Sequence, residues 1–197
     1  LEASAKASAA GLGSTAVVAD AVSSAMNAYA AAGLTAAEAT DVLIATARAG
    51  KAEPEQLAQS LGRVLPLASE LGVTFQDVGG SIAALSLSGN DAAQASTLLT
   101  NVLSKILKPS KQGADALADV GLSAEKLRGM IADKGLLGTL QELREKLGTS
   151  GFVKLFEDAQ AVQGVLALTG QNADQVAKAF DEVNNSAGGT ESAFATW

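Results

Sequence analysis

The sequence predicts an all-α protein, and three observations support that prediction. Hydrophobic residues make up 48% of the chain but aromatic residues only 4%, and much of the apolar content is alanine, the best helix former. Only three prolines interrupt the 197 residues. No segment alternates between apolar and polar residues with the period of two that marks a strand. We therefore expect a compact array of about eight to ten short helices joined by turns that glycine or proline marks, without a sheet.

Two turns share a pattern that ends one helix and begins the next. In the segments 33–35 and 72–74, a glycine is followed by an apolar residue and a threonine. Glycine tolerates the left-handed conformation that ends a helix, and threonine caps the following helix. Glu38 and Asp77 stand three residues after the threonines, where a capping box needs a carboxylate. The pattern returns in part at 121–123, although Lys126 cannot complete the box.

Apolar residues at three- and four-residue steps predict five helices in the first half of the chain. These helices are expected over residues 14–33, 35–50, 54–71, 74–87 and 91–108.

The three prolines of the chain have different expected effects. Pro54 suits the first turn of the third helix, where a missing N–H costs little. Pro66 lies inside the same apolar stripe, so we expect it to kink that helix. Pro109 closes the fifth helix.

Short helical segments and frequent glycines characterise the second half of the chain. Helices are expected over residues 110–120, 123–132, 139–147, 152–170 and 172–183. As a domain division, we expect a helical module over residues 14–185, with a subdivision near 110–121 left open. Residues 1–13 are expected to be a lead-in or linker that starts with a cloning scar, and residues 186–197 a linker and the start of the next segment.

Composition excludes several classes of function. The net charge of −7 and the pI near 4.6 give no overall attraction for nucleic acid, and we predict no specific nucleic-acid binding. The chain has no cysteine and no histidine, which removes disulfides, thiolate sites, Ser-His-Asp triads and most zinc sites. No apolar run reaches the length of a transmembrane helix. We predict no catalytic residues, no cofactor and no metal, and therefore no enzyme.

Two short patterns could carry chemistry, but helix structure explains each better. Residues 11–16 match G-x-G-x-x-A without the buried strand that a dinucleotide site needs before it. Ser123 and Lys126 match the S-x-x-K pairing of penicillin-recognising enzymes, but the companion motifs are missing and Ser123 stands where a helix cap is needed.

Carboxylate pairs are expected to be solvated. Glu142 and Glu145, or Glu157 and Asp158, could be imagined as acid/base pairs, but such neighbours usually form an exposed helix face. Glu142 and Lys146 are spaced as a surface ion pair one helical turn apart.

One local basic cluster remains as a candidate partner contact. Lys105, Lys108 and Lys111 could meet an acidic partner or a phosphate backbone. The alternative is structural, because lysines at the C-terminal end of a helix complement its dipole. Lys111 lies beyond Pro109 and therefore outside the helix that the other two complement.

An ordered series of residues resembles the core region of phage tail tape measure proteins. The series comprises Ala28-Tyr29, Asp41-Val42-Leu43, Ala47-Arg48-Ala49-Gly50-Lys51, Leu57-Ala58, Leu61-Gly62-Arg63-Val64, Pro66 and Leu71-Gly72-Val73. Residues 98–110 look like that region's "LSKLLKPS" ending, and residues 185–189 are similar to its "NSAG" segment. The resemblance extends from about residue 16 to about residue 189.

The resemblance implies a structural segment of a long protein that sets tail length in long-tailed phages or prophages. In that family the chain lies in the tail interior and leaves at infection, in some cases helping DNA cross the host envelope. It implies tail tube, baseplate and tail assembly chaperones as partners, self-association, transient contact with the host membrane, and a host-cytoplasm location during assembly. The alternative is a generic helical adaptor or self-associating scaffold with no phage role.

Overall fold

Residues 2–9 and 13–195 of the computed structural model are described here, and they form twelve α-helices and two single 3₁₀ turns without a strand. The helices are α1 Glu2–Ala9, α2 Thr15–Ala28, α3 Ala36–Gly50, α4 Pro54–Ser60, α5 Val64–Leu71, α6 Phe75–Leu87, α7 Ala92–Leu107, α8 Lys111–Asp119, α9 Ala124–Phe156, α10 Ala159–Thr169, α11 Ala173–Asn184 and α12 Gly189–Ala195. The 3₁₀ turns cover Ala30–Ala32 and Leu61–Arg63. The prediction of an all-α array is confirmed.

Helix α6 lies at the centre of the fold. Every residue from 77 to 85 is buried, which means that neighbours cover the helix on all sides. Helices α3 and α11 pack against it most extensively, and α5, α7, α9 and α10 complete its surroundings. The position of α6 therefore fixes the positions of most other helices.

Two adjacent glycines let the neighbouring helices approach α6 closely. A Cβ at Gly80 would lie 2.9 Å from the Phe180 ring and 3.1 Å from the Phe180 Cα. A Cβ at Gly79 would lie 3.0 Å from Val183 Cγ1 and would also meet Thr46 Oγ1. Contacts this short leave no room for a methyl group, so α3 and α11 sit at a spacing that only glycine permits.

The predicted helix caps are present. The Thr35 hydroxyl accepts a hydrogen bond from the Glu38 N–H, and the Glu38 carboxylate accepts one from the Thr35 N–H, which completes the capping box. Thr74 caps α6 and Ser123 caps α9 through the side-chain bond alone, since each hydroxyl accepts from the N–H three residues later. These caps confirm the interpretation of the repeated turns as helix boundaries.

Asp77 does not complete a capping box with Thr74. Its Oδ2 instead accepts a hydrogen bond of 2.9 Å from the backbone N–H of Leu136 in α9. Burial raises the pKa of the Asp77 carboxyl, while the Leu136 N–H partly offsets that rise. One carboxylate therefore joins the centre of the fold to a distant helix.

Helix α9 is interrupted twice. Gly135 and Gly148 have φ values of 73° and 60°, with ψ near 180°, and this conformation is favourable only for glycine. The bonded N–H of Leu136 directly follows the first interruption. Two short helices, 123–132 and 139–147, were predicted in this region, and the break at Gly135 separates them. The single helix predicted over residues 152–170 is wrong, because the turn at Glu157, with its positive φ, divides it between the end of α9 and α10.

The third predicted helix is interrupted near Pro66, as the sequence predicts. The 3₁₀ turn Leu61–Arg63 divides it within one turn upstream of the proline, and Pro66 occupies the first turn of α5. A proline in a first turn removes an N–H that has no intrahelical partner there. The sequence indicated an interruption but not its position.

Helices occupy both terminal segments that were expected to be linkers. Residues 2–9 form α1, which packs against α2, α3 and α12. Residues 189–195 form α12, which packs against α3.

Residues 1, 10–12, 196 and 197 lie outside the described residues. Part of the proposed cloning scar and part of the 11–16 pattern lie there. Ser14 of that pattern caps α2.

We predict that Gly80→Ala lowers the free energy of unfolding by about 1–3 kcal/mol, because the added methyl group overpacks the contact with Phe180. The matched control is Gly129→Ala in α9, where a Cβ meets nothing within 4 Å. That variant should gain up to about 1 kcal/mol from the higher helix propensity of alanine. Urea unfolding measures both changes, and stabilisation of the two variants alike would contradict the close-packing argument.

Candidate functional site

The described residues contain no group of acidic side chains placed to hold a metal ion. No helix among them is both long enough and apolar enough to cross a membrane. Grooves and polar networks between helices are the remaining candidate sites in the described part of the chain.

A groove with a volume of about 560 Å³ lies between α4, the 61–63 turn, α7 and α10. Its polar groups are largely bonded to one another. The hydroxyls of Ser60 and Ser96 are 2.9 Å apart, and Asn101 Nδ2 donates to Gln160 Oε1 at 2.8 Å. The groove is therefore better described as a polar seam between helices than as a ligand site.

The structure separates the three lysines of the basic cluster. Lys105 lies in the last turn of α7, and its Nζ is 3.4 Å from Glu157 Oε2 and 3.3 Å from Asp158 Oδ2. Lys108 directly follows α7 and Lys111 begins α8. Both are exposed, and neither has an ion-pair partner among residues 2–9 and 13–195. Lys105 is thus a structural group, whereas the other two remain accessible.

Ser110 connects the same region to Glu157. Its hydroxyl caps α8 by accepting from the Gly113 N–H at 3.0 Å, and it donates to Glu157 Oε1 at 2.6 Å. The hydrogen bond from Ser110 and the neighbouring Lys105 ammonium hold the pKa of the Glu157 carboxyl below its usual range. Lys105, Ser110, Glu157 and Asp158 are called the junction network below.

Glu157 has an unusual backbone conformation for a residue with a side chain. Its φ is 51° and its ψ is −58°, and the Asp158 N–H donates to the Phe156 carbonyl at 2.6 Å. These values describe a γ-turn with positive φ, which is rare and strained. Asp158 then caps α10 through the Ala161 N–H. The junction network therefore holds a sharp reversal between α9 and α10.

Sequence reasoning missed this network. Glu157 and Asp158 were expected on a solvated helix face, but they lie in a turn and contact Lys105, which precedes them by about 50 positions. Nothing in the local pattern indicates such a contact.

The predicted surface ion pair of Glu142 is confirmed, since Lys146 Nζ lies 3.6 Å from Glu142 Oε1. Lys134 forms a second ion pair with the same carboxylate.

The polar groups described above have structural roles. They cap helices and join one helix to another, and Lys108 and Lys111 are exposed between the end of α7 and the start of α8. A family model described as "Phage-related minor tail protein" matches residues 1–152. The chain belongs to the phage-related minor tail protein family. As a member of that family it is a structural component of the phage tail.

The resemblance to phage tail tape measure proteins is also confirmed. The tail protein is 25% identical over 181 residues to a protein named "Tape measure protein" from Pneumococcus phage Dp-1. The match covers 89% of this chain and 16% of that relative. No solved structure matches the chain. Family membership removes the alternative of a helical adaptor without a phage role.

We predict that Glu157→Gln destabilises the tail protein at pH 7 and that the difference from wild type shrinks as the pH falls. The folded-state pKa of Glu157 lies below its ordinary value of 4.5. Its contribution to the free energy of unfolding is therefore complete above pH 4.5 and is lost as the pH falls through the folded-state pKa.

Urea unfolding of both proteins between pH 7 and pH 3 measures this dependence. Glu145→Gln is the control, since Glu145 is an exposed carboxylate of α9 and has no ion pair among the described residues. If the free energies of unfolding of wild type and Glu157→Gln differ by the same amount over the whole pH range, the lowered pKa assigned to Glu157 is contradicted.

Proposed function

We propose that this chain is a folded, non-enzymatic module of a tape measure protein that takes part in tail assembly and in tail length determination. The observation that carries the proposal is the similarity to the Dp-1 tape measure protein along 89% of the chain. The proposal extends to DNA ejection, in which the module leaves the tail and helps DNA to cross the host envelope.

Length determination requires the module to open. A helix advances about 1.5 Å per residue, so residues 16–189 would span roughly 260 Å as one extended helix. A compact domain of 197 residues has a radius of gyration of only about 16 Å. We infer that the compact fold exists before packaging and that the helices separate inside the tail tube.

The composition of the core supports opening at moderate cost. Alanine supplies many of the buried positions, including Ala39, Ala68, Ala83 and Ala95, and the whole chain contains only 4% aromatic residues. The free energy of burial scales with apolar area, and alanine has little area to expose. Separation of the helices therefore loses less stabilisation per residue than it would in a core of large side chains.

Assembly requires contacts with other tail components. We propose the tail tube, the baseplate and the tail assembly chaperones as partners, with the module in the host cytoplasm during assembly and in the tail interior afterwards. Self-association and transient membrane contact by the parent protein belong to the same proposal. Lys108 and Lys111 are the proposed partner contact, because both are exposed and unpaired within the described residues.

An in-frame deletion of residues 16–189 from the parent phage tests the proposed role in length determination. Electron microscopy should show tails shortened by roughly 260 Å, and a duplication of the same residues should lengthen them by the same amount. Tails of unchanged length in both mutant phages would overturn the length role, and loss of infectivity at unchanged length would restrict the module to ejection. Loss of all tails would restrict it to assembly.

For the partner contact, we predict that a Lys108→Glu, Lys111→Glu double variant reduces the yield of assembled tails several-fold while the free energy of unfolding stays near wild type. The reason is that like charges repel an acidic partner surface. The control is Lys178→Glu, which reverses an exposed charge on α11. Equal tail yields for the double variant and wild type would contradict the contact.

A further inference from the structure

The first and last described helices meet on one side of the fold. Helices α1 and α12 pack against each other and against α3. Lys6 Nζ lies 2.6 Å from Glu191 Oε1, across 185 positions of sequence. The chain therefore enters and leaves the fold at adjacent points.

The side chain of Asp41 joins α3 to the start of α12. Asp41 lies in α3 and is 8% exposed. Its Oδ2 accepts from the Gly188 N–H at 2.7 Å, and its Oδ1 accepts from the Thr190 N–H at 2.8 Å and from the Thr190 hydroxyl. Hydrogen bonds to an ionised acceptor are stronger than neutral ones, and three converge on this side chain.

These bonds supply α12 with the cap that its own sequence does not provide. Gly188 precedes the helix and has no side chain, so Asp41 from α3 takes the place of a local capping residue. A helix of seven residues is too short to persist without tertiary contacts. Helix α12 therefore depends on its packing against α1 and α3 and on Asp41.

We propose that Asp41 is a clasp that holds the two ends of the fold together, and that its release from Gly188 and Thr190 is the first step by which the module opens. A force that separates the ends acts directly on α1 and α12. It reaches α6 only after α12 has left α3, because α6 is enclosed by α3, α11 and their neighbours. The part that opening plays in the tail rests on the proposed function, whereas the clasp is a property of the chain itself.

Hydrogen exchange of the 197-residue chain, followed by mass spectrometry, tests the clasp. In Asp41→Ala the amides of residues 186–195 should exchange about tenfold faster or more, because three bonds to a charged acceptor are lost. The amides of residues 78–85 in α6 should keep their wild-type rates. The control is Asp20→Ala, which removes an exposed carboxylate of α2 and should alter neither segment.

A milder variant keeps the test decisive if Asp41→Ala fails to fold. Thr190→Val removes one of the three bonds and preserves the backbone N–H, so its acceleration at residues 186–195 should be smaller and confined to that segment. Unchanged exchange there in both variants, or equal acceleration in α6, would overturn the proposal. Both measurements use the isolated chain, so they stand or fall independently of the tail-length experiment.

Discussion

The close approach of α3 and α11 to α6 is the constraint on which the fold depends. Gly79 and Gly80 leave a surface without side chains on a helix that is buried from residue 77 to residue 85. Because this surface sets the spacing of two neighbours, it also sets the position of α12, which rests on α3. In a core poor in aromatic residues, close approach compensates for small side chains by increasing the number of favourable contacts per unit of area.

Three carboxylates connect parts of the chain that are distant in sequence. Asp77 bonds to α9, Asp41 bonds to the start of α12, and Glu157 bonds to Ser110. Each accepts from an N–H or O–H group beside a helix end, where the helix itself leaves donors unsatisfied or where a turn must be held. The chain has no cysteine, so all of these connections are noncovalent and reversible. Noncovalent connections of this kind are compatible with the proposed opening of the module.

The sequence predicted the local features and missed the distant ones, for a physical reason. The caps at Thr35, Thr74 and Ser123 involve residues three positions apart, so a short pattern contains all the information that determines them. The bonds of Asp41 join residues 147 and 149 positions apart. Glu157 contacts Ser110 and Lys105, which lie 47 and 52 positions before it. Nothing in the residues around either carboxylate distinguishes it from a solvated one. Helix α1 was missed because its short, weakly apolar sequence gains its stability from α3 and α12.

The break in α9 at Gly135 has a consequence for the shape that this segment can adopt. In an uninterrupted α-helix the Leu136 N–H would donate to the Ala132 carbonyl, but here it donates to Asp77. The two acceptors compete for one hydrogen, so the bend is maintained by a residue outside the segment. Once α6 is removed, the helical acceptor has no rival, and residues 124–147, up to the second break at Gly148, can straighten into a single helix of about 36 Å.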